Sequence, residues 1–180
     1  MEDLIRQILK HIGDDPEREG LKDTPKRVVK AWLELYAGYK QDPAEILSTV
    51  FEEGSCDEMV ILKDIEFVST CEHHMEKILG TVDIGYVPDK RVVGLSKLAR
   101  LVDCFARRLQ IQEKFTTDIA SAITEHLKPK GVAVVVKASH QCMSCRGVKK
   151  SGATMITSSM TGIFREDPKA RSEFIDLCKA

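Results

Sequence analysis

The order of apolar periodicities constrains this chain most. Met59 to Val68 and Lys77 to Val87 carry alternation or short apolar runs of strand type, joined through the Cys71 to His74 segment and followed by a Pro88-Asp89-Lys90 turn. The helical period then takes over from Ser96. Leu98, Leu101, Val102 and Phe105 form one stripe, and Phe115, Ile119, Ala122, Ile123 and Leu127 form a second, with Leu109 to Gln112 as the junction. After the Pro129-Lys130-Gly131 break, Val132 to Ala138 reads as a buried strand and Ala153 to Phe164 as a Thr/Ser-rich one. Strand, strand, helix, helix, strand, strand segregates the two element types. Segregation predicts an α+β fold, an antiparallel sheet with two long antiparallel helices on one face. The half-polar strands leave a second face expected to be partly solvated or shared between copies.

Residues 1–55 read as an N-terminal helical region and 56–180 as the core, one compact unit. Leu4, Ile5, Ile8, Leu9 and Ile12 recur at helical spacing until Gly13-Asp14-Asp15-Pro16. Thr24-Pro25 predicts a second helix with Thr24 as N-cap, Val28, Val29, Trp32, Leu33 and Tyr36 on its buried face, and Gly38 at its C-terminal cap. Asp42-Pro43 repeats the start signal for a short helix carrying Ile46, Leu47 and Val50. Asp167-Pro168 opens a short terminal helix.

A chain of 180 residues buries enough surface to build a core without covalent staples. Its six cysteines therefore need another explanation. The N-terminus lacks a basic stretch followed by an apolar run, and no segment approaches a membrane span, so a cytoplasmic protein with no membrane partner is expected. In a reducing compartment, paired Cys and His spacings point to metal or catalysis before disulfides. With 27 basic against 28 acidic residues the net charge is -1, which argues against nucleic acid as a partner.

Cys71-Glu72-His73-His74 sets Cys71 and His74 three apart in a turn between strands, and His140-Gln141-Cys142-Met143-Ser144-Cys145 follows a strand far along the chain. Thiolate with imidazole favours zinc over magnesium or calcium, which prefer oxygen. Two sites are compatible with the spacing. Cys71, His74, Cys142 and Cys145 together would close a structural site, whereas three ligands would leave a position open for chemistry. His73 and His140 are surplus imidazoles beside the ligands, which a structural site does not need.

Ser96, Lys97 and Arg100 stand at a helix start, where free N–H groups and cations would hold phosphate, with Ser96 as cap. Arg146 follows the second metal segment directly. The alternative is a solvated helix face that Lys97 and Arg100 merely decorate. Gln112-Glu113 occupies the junction between the long helices. A carboxylate there either accepts two hydrogen bonds from a guanine edge or simply complements the helix dipole.

Ser69-Thr70-Cys71-Glu72-His73-His74, Gly94-Leu95-Ser96-Lys97-Leu98-Ala99-Arg100, Gln110-Ile111-Gln112-Glu113, His140-Gln141-Cys142 and Arg146-Gly147 occur in the order and spacing of GTP cyclohydrolase I, which the chain resembles over roughly residues 20 to 178. Asp23 to Arg27 and Phe164 to Pro168 are further matching blocks. The resemblance implies a zinc enzyme that opens the imidazole ring of GTP, releases C8 as formate and rebuilds the product as 7,8-dihydroneopterin triphosphate, a first step of pterin and folate-type biosynthesis. It implies the tunnelling fold and a homodecamer of two pentamers with each active site shared between subunits. By position it assigns Cys71, His74 and Cys142 to zinc, His73 and His140 to proton transfer, and Glu113 with Gln112 to guanine. Ser96, Lys97, Arg100, Arg146, Arg27 and Lys30 are assigned to the triphosphate.

Two departures stand out. Met75-Glu76-Lys77-Ile78 follows the double histidine where many members have a Pro-Phe pair, and Cys145 is often not cysteine in the family. The first bears on local packing, the second on whether the fourth position stays open. Two other functions compete: a related nitrile reductase with a nucleophilic cysteine and a nicotinamide cofactor, and a structural zinc module. The separated Cys-x-x-His and His-x-Cys blocks count against the former, and the surplus histidines against the latter.

Overall fold

The computed structural model describes residues 1–53 and 56–180; the boundary expected at Gly54 and Ser55 lies outside the described residues. Two compact units emerge, Met1–Ala37 and Gly38–Ala180. In the first, α1 (Glu2–His11) packs on α2 (Thr24–Leu35) through Ile5 and Leu9. Thr24 is not the cap. Asp23 holds that position and Thr24 begins the helix, because the Thr24 N–H already donates to the Leu21 carbonyl at 2.9 Å in the preceding turn.

The second unit runs α3 (Pro43–Leu47), β1 (Val50–Phe51), β2 (Val60–Cys71), β3 (Lys77–Val87), β4 (Val92–Val93), α4 (Leu95–Ala106), β5 (Leu109–Gln110), α5 (Gln112–Leu127), β6 (Gly131–His140), α6 (Gln141–Ser144), β7 (Met155–Gly162), α7 (Ile163–Glu166) and α8 (Pro168–Lys179). Gly38 lies in a 3₁₀ turn rather than at a helix cap, its N–H donating to the Arg107 carbonyl. Asp42 and Asp167 cap α3 and α8 through their carboxylates, as Asp-Pro starts should. Val50 is not helical; it pairs with Val93 in a small two-stranded sheet.

The main sheet has the order β5-β2-β3-β6-β7. Its four long strands are antiparallel, and α4 and α5 cover one face, as the tunnelling fold requires. One short strand adds a parallel edge to this antiparallel sheet. β5 pairs parallel with the end of β2, Thr70 with Leu109 and Cys71 with Gln110, because the chain leaving α4 runs beside β2 before it enters α5. The helices are antiparallel by their anchors. α4 starts by Tyr86, whose Oη accepts from the Val93 N–H, and ends where Ser69 Oγ donates to the Ala106 carbonyl. α5 starts at Gln112, bonded to the Val136 carbonyl, and nears its end at Thr124, bonded to Thr161 opposite Val132.

Alternation decides what each face buries. Val82, Ile84, Val132, Val134 and Val136 meet Leu98, Leu101, Val102, Phe115, Ile119 and Ile123 in the main core. Phe115 stacks on Phe67, ring centres 4.9 Å apart at 45°. Phe115→Ala is expected to cost about 3–5 kcal/mol, read as a lowered thermal midpoint, whereas truncating the exposed Ile156 should leave that midpoint in place.

The opposite face is not left wholly open. Phe164 and Phe174 form a second apolar cluster with Val87 and Ala133, which places α8 on this face. Gly85 permits it, since a Cβ there would lie 2.6 Å from the Phe174 ring. β7 ends at Gly162 rather than running to Phe164. Its φ of +51° and the Lys130 carbonyl, 2.1 Å from where a Cβ would sit, demand glycine and turn the chain into α7. Among the described residues no helix is long and apolar enough to cross a membrane.

Candidate metal centre and its surroundings

Strand pairing assembles the centre. Thr70 pairs with Lys77 and Ile78 with His140, so two register steps carry the end of β2 across β3 to the end of β6. Cys71 and Cys142, far apart in sequence, therefore emerge at one end of the sheet. The Cys71–Glu76 turn is tied at both ends: the Cys71 N–H donates to the Glu76 carbonyl at 2.8 Å, and the Met75 N–H to the Cys71 carbonyl at 2.9 Å. A third bond, from the Glu72 N–H to the Gln110 carbonyl, fastens the turn to β5. Met75 pays a backbone cost for this tight turn, with φ +56° in the left-handed region. The departure at Met75 to Ile78 packs well, for Ile78 is buried in the core and Lys77 Nζ donates to Thr70 Oγ1.

Among the described residues, one group of Cys, His and acidic side chains converges as a metal site: Cys71, His74 and Cys142, whose ligand atoms all lie within 4.8 Å of one another. A tetrahedral ion with bonds of 2.0–2.3 Å holds its ligands about 3.4–3.8 Å apart, so small side-chain rotations suffice. The two thiols and one imidazole suit a soft-to-borderline cation. Burial, and then the neighbouring Cys71 thiol, raise the Cys142 thiol above its ordinary range, the penalty of gathering two sulfurs in one place. Cys145 stays out of this group. It is exposed and its Sγ donates to the Gln141 carbonyl at 2.8 Å.

His140, the last residue of β6, is half-buried, and burial holds its imidazole below the ordinary range while Glu113 pulls the other way. Glu113 stands at the same end of the sheet, since Gln112 beside it bonds to the Val136 and Met155 carbonyls near the end of β6. His73 is exposed, its Nε2 3.9 Å from Glu72 Oε1, and His74 is open to solvent as well. Glu113 is exposed in the first turn of α5. Gln112 is placed differently from its sequence reading as a guanine contact. It is 1% exposed, and its Nε2 donates to the Val136 and Met155 carbonyls and to Thr157 Oγ1 at 3.1–3.2 Å.

The phosphate-binding candidates at the start of α4 lie away from this centre. Ser96 is not the cap of α4; Gly94 is, because the Lys97 N–H donates to the Gly94 carbonyl and starts the helix earlier. Ser96 and Lys97, in the first turn of α4, sit towards the Tyr86 end of the sheet, with Arg100 a turn further along the helix, and the run from Ile78 to Tyr86 in β3 spans roughly 27 Å at about 3.4 Å per residue. Arg146, exposed just after α6, is on the metal side. Arg27 and Lys30 are exposed on α2 one turn apart, with Arg27 Nη2 3.5 Å from Asp23 Oδ2.

Sequence reasoning missed Ser69, Gln110, Thr116 and Thr157. Gln110 is buried and donates through Nε2 to Ser69 Oγ at 2.8 Å, bracing β5 against β2. Thr116 and Thr157 bond to Gln112 and to each other. The only signal was the Thr/Ser richness of the last strand.

The family model for GTP cyclohydrolase I matches residues 1–179. The chain is 61% identical over 175 residues to GTP cyclohydrolase 1 of Wolinella succinogenes, covering 97% of this chain and 94% of that one. It is 48% identical to GTP cyclohydrolase 1 of Helicobacter pylori strain Shi470 over the whole of both chains. Among solved structures, the apo archaeosine synthase QueF-Like superposes with a TM-score of 0.49 at 20% identity, over 58% of this chain and 93% of that one. With a match that spans the sheet, both long helices and every residue of the converging Cys-His-Cys group, the chain belongs to the GTP cyclohydrolase I family.

Proposed function

We propose that this protein converts GTP to 7,8-dihydroneopterin triphosphate, opening the imidazole ring at C8 and releasing C8 as formate, with zinc as its metal. The observation that carries the reading is the convergence of Cys71, His74 and Cys142 at the sheet end where His140 and Glu113 also stand. Bound by those three residues, zinc supplies Lewis acidity that brings the ionisation of water towards neutral pH. C8 of a purine is already at the oxidation level of formate. Opening therefore needs water and protons, not a nicotinamide, which disfavours the nitrile-reductase alternative.

The chain's own side chains do the rest. Protonation at N7 makes C8 electrophilic, and His73 and His140 are the imidazoles beside the ligands that can give and take such protons. The buried, less basic His140 favours the neutral form, able to accept a proton at neutral pH. Glu113 accepts from N1–H and the 2-amino group of guanine, orienting the base. Gln112 serves that contact from beneath, through its ties to the sheet.

Triphosphate binding falls to Ser96, Lys97, Arg100 and Arg146, with Arg27 and Lys30. Because Ser96 and Lys97 lie towards the other end of their own sheet, with Arg100 a turn further along the helix, we assign them to the site of a neighbouring copy. That assignment calls for a homo-oligomer with shared active sites; a decamer of two pentamers, acting in the cytoplasm, is the assembly we propose. We read residues 1–55 as an N-terminal helical region ahead of a catalytic core, 56–180, although α3 at the end of that region packs on α4 and α5 and belongs to the Gly38–Ala180 unit.

The test is anaerobic incubation of zinc-replete protein with GTP, following formate and dihydropterin absorbance together. Both signals are expected, and His73→Ala should lose both. Stoichiometric zinc without formate would overturn the reading in favour of a structural metal module.

A further inference from the structure

Gln112, Thr116 and Thr157 form a closed hydrogen-bonded ring. Gln112 Nε2 lies 3.1 Å from the Val136 carbonyl and 3.2 Å from the Met155 carbonyl, so this end of the amide must be the donating NH₂. Its two hydrogens are shared among these carbonyls and Thr157 Oγ1, 3.1 Å away, towards which the amide can only donate. Thr116 Oγ1 donates to the Gln112 backbone carbonyl at 2.7 Å. Its one proton is then committed, and the 2.6 Å contact between the two threonine hydroxyls must have Thr157 as donor. The ring runs from the Gln112 amide to Thr157, on to Thr116, and back to the Gln112 carbonyl.

That carbonyl belongs to the peptide plane joining Gln112 to Glu113. A side chain and a main-chain group of one residue are thus locked against β7 at once, and the members of such a ring polarise one another. Turning the amide over would set Oε1 against the Val136 and Met155 carbonyls, so the residue has no second arrangement in which this end is equally well bonded.

We propose that Thr157 and Thr116 are positioning residues for base recognition: with Gln112 they set the Gln112–Glu113 peptide plane and so aim the Glu113 carboxylate at the purine edge. This rests on the reading of Glu113 as the guanine contact. Thr157 acts through Gln112 and Thr116, from a strand that contributes none of the proposed ligands or proton carriers.

The experiment compares GTP with inosine triphosphate, which lacks the 2-amino group, on the metal-loaded protein. Thr157→Val keeps the shape and strand propensity of the side chain and removes its hydroxyl. Its KM for GTP should rise about tenfold and its preference for GTP over inosine triphosphate fall by a similar factor, with kcat within about twofold and metal content unchanged. Thr157→Ser should restore both. Thr116→Val breaks the ring at a different bond and should behave like Thr157→Val, which keeps the test decisive if one variant folds poorly. In a Glu113→Gln background, Thr157→Val should change the preference no further. If Glu113→Gln loses the preference while Thr157→Val and Thr116→Val keep it, the positioning role is overturned alone. If Glu113→Gln keeps it, the guanine reading fails and the positioning role with it. A loss of kcat or metal in Thr157→Val that serine does not rescue would mark a merely structural hydroxyl and would also overturn the proposal.

Discussion

Cys142→Ala is expected to lose the bound metal and GTP turnover together, while Cys145→Ser keeps both. Cys142 supplies one of only three side chains in the converging group, and its sulfur has no substitute among them. Changes to groups that merely support a ligand already cost 10–100-fold in metal affinity, so removing the ligand itself should cost more than about 100-fold. Formate release should fall below detection. Cys145 provides the contrast, because its thiol is spent on the Gln141 carbonyl and lies outside the group. Metal analysis after dialysis, paired with the formate assay, measures both effects. Metal lost from Cys145→Ser would instead establish a closed four-ligand centre, and the hydrolytic reading would fall with it.

The second large effect is complementation between two dead variants. Cys142→Ala removes the metal half of a site, and Lys97→Ala with Arg100→Ala removes the phosphate half. Each should be inactive alone. If one copy provides the metal half and a neighbour the phosphate half, equal co-expression leaves about a quarter of sites with both halves intact, one half of one half. Activity should therefore recover from none to roughly a quarter of the wild-type rate. The geometry behind this is the placement of Lys97 towards the Tyr86 end of the sheet, away from Cys71 and Cys142, with Arg100 a turn further along α4. Mixed oligomers that form but stay inactive would mean that each chain builds its site alone.

Elements with a strong period were legible in the sequence. β3 occupies Lys77–Val87, as its apolar run predicts, and the α5 stripe at Phe115, Ile119, Ile123 and Leu127 is buried as its spacing demands. β5 was not legible. Two residues carry no period, and what makes them a strand is a parallel pairing with Thr70 and Cys71 from a distant part of the chain. The helix starts were displaced for a local reason. Backbone bonds to Leu21 and Gly94 begin the turn before the hydroxyl of Thr24 or Ser96 can cap it.

The sequence by itself determined which atoms are available at the centre: two soft thiols, an imidazole, spare histidines beside them and an acid at a helix start. Those are properties of residue type and short spacing, which survive without a fold. Only the tertiary structure decided which of them meet. Register across β2, β3 and β6 brings Cys142 to Cys71 and His74 and leaves Cys145 aside, while the packing of α5 on β6 and β7 turns Gln112 inward and leaves Glu113 outward. The physical reason is that a polar side chain has no periodic signature of burial. Its direction is set by the partners that satisfy it, and Val136, Met155 and Thr157 reach Gln112 only once the sheet has formed beneath the helix.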